Sequence, residues 1–209
     1  MTAPKPAASP KPYGGISADE RRAQRRRQLI EAAVRVYGER GYHNSSVKAV
    51  CEAAGLTERY FYENFSGSEA LLVTAFQAVQ ALLTEAMAAS AKDLPVGALK
   101  VRAMLETYYS ALMAEPVAAR VFLTEVAGVS RAANEVVKTW RLMIADMLQA
   151  AWQGEPAPGD SLLKIGVMGA VIDIAAAWVL EGYAHPLAEV VDTAVRVCGL
   201  LKDSGPDRA

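Results

Sequence analysis

Apolar side chains recur at steps of three and four residues along most of the chain, the spacing that places them on one face of an α-helix. The first such run lies between two helix-boundary signals, with Ser17 and Asp19 as N-cap candidates and Gly41 just beyond Arg40. Alternating β-branched runs and the Asn-Gly or Asp-Gly pairs of hairpins do not occur in the sequence. The apolar face of this first predicted helix consists of Leu29, Ile30, Ala33, Val34 and Tyr37.

Capping and turn residues divide the rest of the chain into further helices. Ser45 or Ser46 is expected to cap the second helix, Thr57 the third, and Ser66 or Ser68 the fourth. The Gly- and Pro-rich stretch 154–159 predicts a loop. The sequence therefore predicts an all-α fold of about nine helices. After the first, they cover about residues 45–55, 57–64, 66–89, 93–114, 116–127, 130–153, 160–182 and 186–201.

Composition excludes several classes of protein. The 209 residues are 52% hydrophobic and 22% charged, which is typical of a globular chain large enough to bury a core. The two cysteines, Cys51 and Cys198, and the two histidines, His43 and His185, form no disulfide framework or metal-binding cluster. No Ser/His/Asp set, phosphate-binding glycine loop or HExxH motif is present. We therefore expect no catalytic residue, no metal and no cofactor, and we expect both cysteines to be packing residues.

Charge is unevenly distributed along the chain. Residues 1–65 contain 11 lysines and arginines against 7 acidic residues, whereas the remainder is acidic. Such a basic part on an acidic body favours a polyanion as its partner. Two interpretations of the N-terminal arginines remain open: a basic arm that contacts DNA, or the solvated face of the first helix. These arginines are Arg21, Arg22, Arg25, Arg26 and Arg27.

No targeting or membrane-spanning segment is recognisable in the sequence. The Pro-rich first residues predict a disordered tail over 1–17 and not a signal peptide. The most apolar stretch, 165–180, is interrupted by Asp173 and predicts a buried helix instead of a membrane span. We therefore expect a cytoplasmic protein with no membrane partner. Asp173 could support a subunit contact, meet a cation in a pocket, or face solvent.

Residues 45–64 predict two short helices joined by a tight turn at Gly55, where glycine permits a positive φ. This arrangement is a helix-turn-helix, whose second helix enters a DNA major groove about 12 Å wide. The side chains able to fix the angle between the two helices are Val47, Val50, Ala54, Leu56, Phe61 and Phe65.

A longer stretch, from Leu29 to Leu72, resembles the DNA-binding domain of the TetR family of transcriptional regulators. The resemblance implies a ligand-responsive repressor that acts as a homodimer. It divides the chain into a tail at 1–17, a DNA-binding domain at 18–66, a ligand-binding and dimerisation domain at 67–203, and a tail at 204–209. The matching residues are Ile30-Glu31-Ala32-Ala33, Gly41-Tyr42, Ser46-Val47, Ala53-Ala54-Gly55-Leu56-Thr57, Phe61-Tyr62-Glu63-Asn64-Phe65 and Ser68-Glu69-Ala70-Leu71-Leu72.

The resemblance also implies roles for single residues on double-stranded operator DNA, which we expect to be nearly palindromic. At the start of the third helix, Thr57, Glu58, Arg59 and Tyr60 would face base edges. Arginine suits guanine because it can donate two parallel hydrogen bonds, whereas lysine and hydroxyl groups suit phosphates. Where the family has lysine, this chain has a serine at the start of the fourth helix. The expected phosphate contacts are Ser46, Lys48, Tyr62 and Asn64.

The same resemblance implies a small apolar or amphipathic effector and a dimer formed by the last two helices. Small residues between 166 and 177 would permit close helix approach, and an apolar stripe from Val190 to Leu201 would join the same bundle. An alternative function is a DNA-binding or architectural protein that responds to no effector. Aromatic and methionine side chains shape adaptable cavities. The candidate effector contacts are Met104, Tyr108, Phe122, Trp140, Met143, Met147 and Trp178.

Overall fold

The computed structural model describes residues 17–155 and 161–203, and these ranges contain helices and no strand. A π-helical segment, Val121–Glu125, follows α6, and a 3₁₀ turn, Gly199–Asp203, follows α9. The predicted tails at 1–16 and 204–209, and residues 156–160 of the predicted loop, lie outside the described residues. The helices are α1 Ala18–Arg40, α2 Val47–Ala54, α3 Glu58–Tyr62, α4 Ser68–Ser90, α5 Ala98–Ala114, α6 Pro116–Arg120, α7 Arg131–Gln153, α8 Ser161–Leu180 and α9 Leu187–Cys198.

Local capping chemistry sets several helix ends where the sequence predicts them. The Ser17 hydroxyl accepts from the Glu20 amide at 3.1 Å, and the Glu20 carboxylate accepts from the Ser17 amide at 2.7 Å, which is a capping box. Ser46 caps α2 and Ser130 caps α7 in the same side-chain manner. The structure therefore confirms these three helix starts. They could be predicted because each capping side chain binds an amide only three residues later.

Two predicted helix starts are wrong. Gly67, not Ser66 or Ser68, is the N-cap of α4, and the Ser68 hydroxyl instead shares a 3.1 Å hydrogen bond with the Tyr42 hydroxyl. The fifth helix begins at Ala98 and not at about 93, because its N-cap Gly97 adopts φ 129°, which no helix contains.

Apolar side chains from all helices form a continuous core. α1 packs against α2, α3 and α4, and α5 lies among α4, α7, α8 and α9. The apolar stripe of α9 is buried within its own chain, against α5 and α8, so its predicted use in a dimer is wrong for Val190, Val191 and Ala194. Because α5 already covers this stripe, its side chains are not available to a second protomer.

α8 is buried on one face only, whereas the sequence predicted a buried helix. Val167 and Ala175 are in the core, whereas Leu162 and Leu180 are 76% and 78% exposed. Asp173 is also exposed, which excludes a position in the core pocket. By length and composition alone, α4 and α8 could each span a membrane, but both pack against other helices of the bundle, so the observation is weak.

The C-terminal end of α1 meets α6 and the π segment in close contact. A Cβ atom built on buried Gly38 would lie 2.2 Å from the Val117 carbonyl oxygen, so only glycine fits there. The Glu125 carboxylate accepts from the Tyr42 amide at 2.7 Å and pairs with Arg120 at 3.4 Å. This contact joins the helix-turn-helix region to the rest of the fold.

Candidate nucleic-acid interface and internal cavity

Gly55 makes the tight turn between α2 and α3. It adopts φ 67° and ψ 30°, the left-handed conformation that ends many helices. The Leu56 amide donates to the Cys51 carbonyl at 2.9 Å and the Gly55 amide to the Glu52 carbonyl at 3.1 Å, the two bonds of a Schellman motif. The turn therefore holds α3 at a fixed angle to α2, with Phe61 fully buried beneath it.

The first turn of α3 presents polar groups to solvent. Thr57, Glu58 and Arg59 are exposed, and the Thr57 hydroxyl makes no capping hydrogen bond. The Arg59 side chain is 84% exposed, and its Nε donates to the Glu63 carboxylate at 3.1 Å. Because this bond uses Nε, the two terminal nitrogens of Arg59 stay available for a base edge. Glu63 thus orients Arg59 along α3.

The other predicted contacts divide into two groups. Ser46, Lys48 and Tyr62 are exposed beside α3, and Lys48 lies 3.9 Å from Glu52, also exposed. Tyr60 and Asn64, by contrast, already have partners within the protein. The Arg25 guanidinium lies 4.4 Å from the centre of the Tyr60 ring, and the Asn64 amide donates to the Tyr60 carbonyl at 2.7 Å.

Three arginines of α1 donate to carbonyls at the C-terminal ends of the helix-turn-helix. Arg35 binds the Ala53 carbonyl at 2.8 Å, Arg22 the Glu63 carbonyl at 2.8 Å and Arg26 the Asn64 carbonyl at 2.9 Å. Positive groups are favourable there because the last carbonyls of a helix lack partners and form the negative end of its dipole.

These bonds give the N-terminal arginines a role that neither interpretation of the sequence contained. Arg22 and Arg26 hold the end of α3, and Arg26 also lies 4.3 Å from the centre of the Phe65 ring. The sequence shows their spacing along α1 but not which helix end they reach. We missed them because that partner is about 40 positions away in the chain.

α4, α5, α7 and α8 enclose a small cavity of about 10 Å³ with an apolar wall, room for roughly one water molecule. An aromatic cluster of Phe76, Phe122 and Trp140 adjoins it, with Phe122 and Trp140 ring centres 4.8 Å apart. The cavity is lined by Met87, Leu105, Tyr108, Trp140, Ile144, Leu148, Met168 and Val171.

The sequence profile of bacterial regulatory proteins of the tetR family matches residues 29–75. Residues 29–75 therefore carry a DNA-binding domain of the TetR type. Regulators of this family bind DNA, form dimers and are released from DNA by effector ligands; they are not enzymes. The chain is therefore a DNA-binding transcriptional regulator with the all-α fold expected from its sequence.

Similar proteins extend the similarity beyond the DNA-binding part of the chain. A fatty acid metabolism regulator protein of Bacillus subtilis is 23% identical over 177 residues, which cover 81% of this chain and 91% of the relative. The fatty acid degradation regulator FadR of Bacillus halodurans has a TM-score of 0.70 at 19% identity, over 86% of this chain and 95% of that one.

A second solved structure, the transcriptional regulator FadR of Bacillus subtilis in complex with stearoyl-CoA, also has a TM-score of 0.70 at 19% identity. The match covers 82% of this chain and 96% of the chain in that structure. At such low identities, the structural similarity shows a shared fold and nothing more specific.

The predicted effector contacts of this regulator lie in several places in the fold. Tyr108 and Trp140 line the cavity, and Phe122 packs against both of their rings. Met104 and Met147 line a surface groove among α4, α5 and α7. Met143 lies in a groove between α4 and α7, and Trp178 in one between α8 and α9. The sequence missed six cavity residues because aliphatic core positions carry no distinguishing signal. These are Met87, Leu105, Ile144, Leu148, Met168 and Val171.

Both thiols of the chain are buried. Burial raises the pKa of the Cys198 thiol to about 12 and also raises the pKa of Cys51 above its ordinary value. Thiols in such surroundings stay protonated at neutral pH and react slowly. The structure therefore supports the expectation that both cysteines are packing residues.

Proposed function

We propose that the chain is a cytoplasmic repressor that binds a nearly palindromic operator as a homodimer and releases it when an apolar or amphipathic effector binds. Residues 18–66 form the DNA-binding domain and 67–203 the effector-binding and dimerisation domain. The observation that carries the proposal is the exposed polar start of α3, held firmly against α1. DNA-binding regulators of this family are in general soluble and cytoplasmic.

Thr57, Glu58 and Arg59 contact base edges in this proposal. Their exposure at the start of α3 supports that role, because the first residues of a recognition helix reach into the major groove. Tyr60 is half-buried under Arg25 and reaches a base only with the outer edge of its ring.

The phosphate contacts come from Ser46, Lys48, Tyr62 and Asn64. Exposure of the first three supports this role, since their hydroxyl and ammonium groups can reach phosphate oxygens. A phosphate oxygen needs a donor, and the free side-chain oxygen of Asn64 can only accept. Asn64 therefore contacts phosphate through its side-chain nitrogen, which also donates to the Tyr60 carbonyl.

The effector carries an acyl chain. The apolar wall of the cavity supports this class, and the similar Bacillus subtilis regulator was solved with stearoyl-CoA. A volume of about 10 Å³ holds no such chain, so the effector must separate the side chains around Trp140. Binding therefore requires a rearrangement of the domain, which is what an allosteric switch needs.

Two elements connect this cavity to the DNA-binding domain. α4 places Met87 on the cavity wall and Ser68 against Tyr42 at its other end. The π segment places Phe122 against the cavity aromatics, while Glu125 binds the Tyr42 amide. Separation of the cavity side chains would move both elements and change the spacing of the recognition helices, which must be about 34–36 Å apart on DNA.

The homodimer forms through the exposed face of α8. Leu162 and Leu180 are more than three-quarters exposed, and Gly166 and Ala177 lie between them on the same face, so a largely apolar face that Asp173 interrupts is left uncovered in one protomer. Light scattering at micromolar concentration is expected to give twice the chain mass of 22.3 kDa. A mass of one chain, or a dimer unaffected by Leu180→Glu, would contradict this interface.

Reciprocal coupling between operator and effector tests the proposed function. By linkage, an effector that weakens operator binding by a given factor must itself bind the operator complex more weakly by the same factor. An operator duplex obtained by binding-site selection is titrated at fixed salt with and without dodecanoyl-CoA and dodecanoate. Loss of operator affinity with either acyl compound is expected. Unchanged affinity with both would indicate a DNA-binding protein that responds to no acyl effector.

A further inference from the structure

Two polar groups, one on the cavity wall and one next to a wall residue in α7, have no partner within the protein. Tyr108 is 3% exposed, and its hydroxyl makes no hydrogen bond. Arg141, the neighbour of Trp140 on α7, is half-buried, and its Nε is buried without a partner. Across the ranges 17–155 and 161–203, no carboxylate lies within ion-pair distance of Arg141.

Tyr108 lies on the cavity wall, and Arg141 follows the wall residue Trp140 in α7. Burial raises the pKa of Tyr108 far above its ordinary value, so the hydroxyl remains a neutral donor. The positive charge of Arg141 acts on the same hydroxyl in the opposite direction. A buried donor without a partner destabilises the protein, because folding has removed its hydrogen bonds to water. Two donors without an acceptor therefore favour the binding of an anion that can accept from both.

We propose that Arg141 and Tyr108 bind the carboxylate of a free fatty acid whose hydrocarbon chain occupies the enlarged cavity. This inference rests on the proposed acyl effector and narrows its chemistry. The carboxylate of a fatty acid carries its negative charge at the end of the hydrocarbon chain, where it can accept from the two donors. The thioester of an acyl-CoA is neutral at that carbon, and its charged phosphates lie far along the cofactor. Arg141 therefore selects the acid over its thioester.

Trp140 connects this site to the surface. It lines both the internal cavity and the groove between α4 and α7, and its Nε1 reaches Thr84 at a long 3.3 Å. The groove has a volume of about 310 Å³ and includes Gln80, whose side-chain oxygen also lacks a partner. A rotation of the Trp140 side chain joins groove and cavity, which gives the fatty acid a route of entry.

The experiment compares three twelve-carbon probes on the full chain by calorimetry: dodecanoate, 1-dodecanol and dodecanoyl-CoA. Dodecanoate is expected to bind at least about tenfold more tightly than dodecanol, since a hydrogen bond to a charged group contributes about 1.5–3 kcal/mol. Arg141→Gln is expected to abolish this preference, and Tyr108→Phe to reduce it. Arg131→Gln, an exposed arginine at the start of the same helix, is the control and should keep it.

The outcomes separate this inference from the proposed function. Equal binding of the acid and the alcohol, or tighter binding of dodecanoyl-CoA that Arg141→Gln leaves unchanged, would overturn the carboxylate site while the acyl effector stands. Binding of none of the three would overturn the acyl effector itself and this site with it. Thermal unfolding of the ligand-free protein provides a second readout. Removal of an uncompensated charge should leave the Tm of Arg141→Gln unchanged or raised, whereas loss of a structural ion pair would lower it.

Discussion

Arg59→Ala is expected to weaken binding to the selected operator by about 1–3 kcal/mol and to relax base preference at one position of each half-site. Arg59 is almost fully exposed at the start of α3, and its Nε donates to Glu63, which leaves the two terminal nitrogens available. A bidentate contact to guanine is lost with the side chain. The measurement is a binding-site selection followed by affinity titrations on the selected and the altered duplex.

Lys48→Ala provides the matched comparison for this prediction. Lys48 is an exposed cation of α2, and we expect it to contact a phosphate. Its loss should weaken all duplexes about equally and reduce the slope of log affinity against log salt by about one. If Arg59→Ala behaves as Lys48→Ala does, with unchanged base preference, Arg59 contacts the DNA backbone and our assignment of base recognition is wrong.

Gly38→Ala is expected to destabilise the protein by about 1–3 kcal/mol, because the added Cβ would overlap the Val117 carbonyl oxygen at 2.2 Å. Alanine in a helix interior otherwise stabilises by about 1 kcal/mol relative to glycine, so the overlap must outweigh this gain. It does so because the obstacle is backbone, one residue after the proline that begins α6. Thermal and urea unfolding measure the change.

Gly199→Ala is the control for this substitution. Gly199 has φ −57°, and a Cβ atom there meets nothing within 4 Å. Alanine should therefore leave stability unchanged or raise it by about 0.4–1 kcal/mol through the unfolded chain. An equal loss of stability in both variants would show that packing of α1 on α6 is not the cause, and a stabilised Gly38→Ala would contradict the close contact itself.

The positions of α1, α2 and α7 could be predicted from the sequence because their determinants are local. Ser17, Ser46 and Ser130 each bond an amide three residues later, and the turn at Gly55 is closed by bonds to residues three and five positions back. Such interactions depend on the order of neighbouring residues and not on the rest of the fold.

The candidate DNA-binding residues could be named for a similar reason. The helix-turn-helix occupies only about 20 consecutive residues, so the spacing of its turn and caps indicates which side chains begin α3. Exposure of Thr57, Glu58 and Arg59 agrees with that spacing. The engagement of Tyr60 could not be foreseen, because Arg25 reaches its ring from a different helix. The Asn64 bond, by contrast, is local, since its acceptor is the Tyr60 carbonyl four residues back.

The sequence alone determined the helical fold, the caps of α1, α2 and α7 and the helix-turn-helix, since periodicity and capping act over a few residues. Tertiary structure decided which partner each helix face meets. It directed Arg22 and Arg26 to the end of α3, buried the stripe of α9 within its own chain and brought Gly38 against Val117. It also left Arg141 beside an apolar cavity without an anion. Helical periodicity fixes which side chains share a face, but the crossing of helices far apart in the chain fixes what that face contacts.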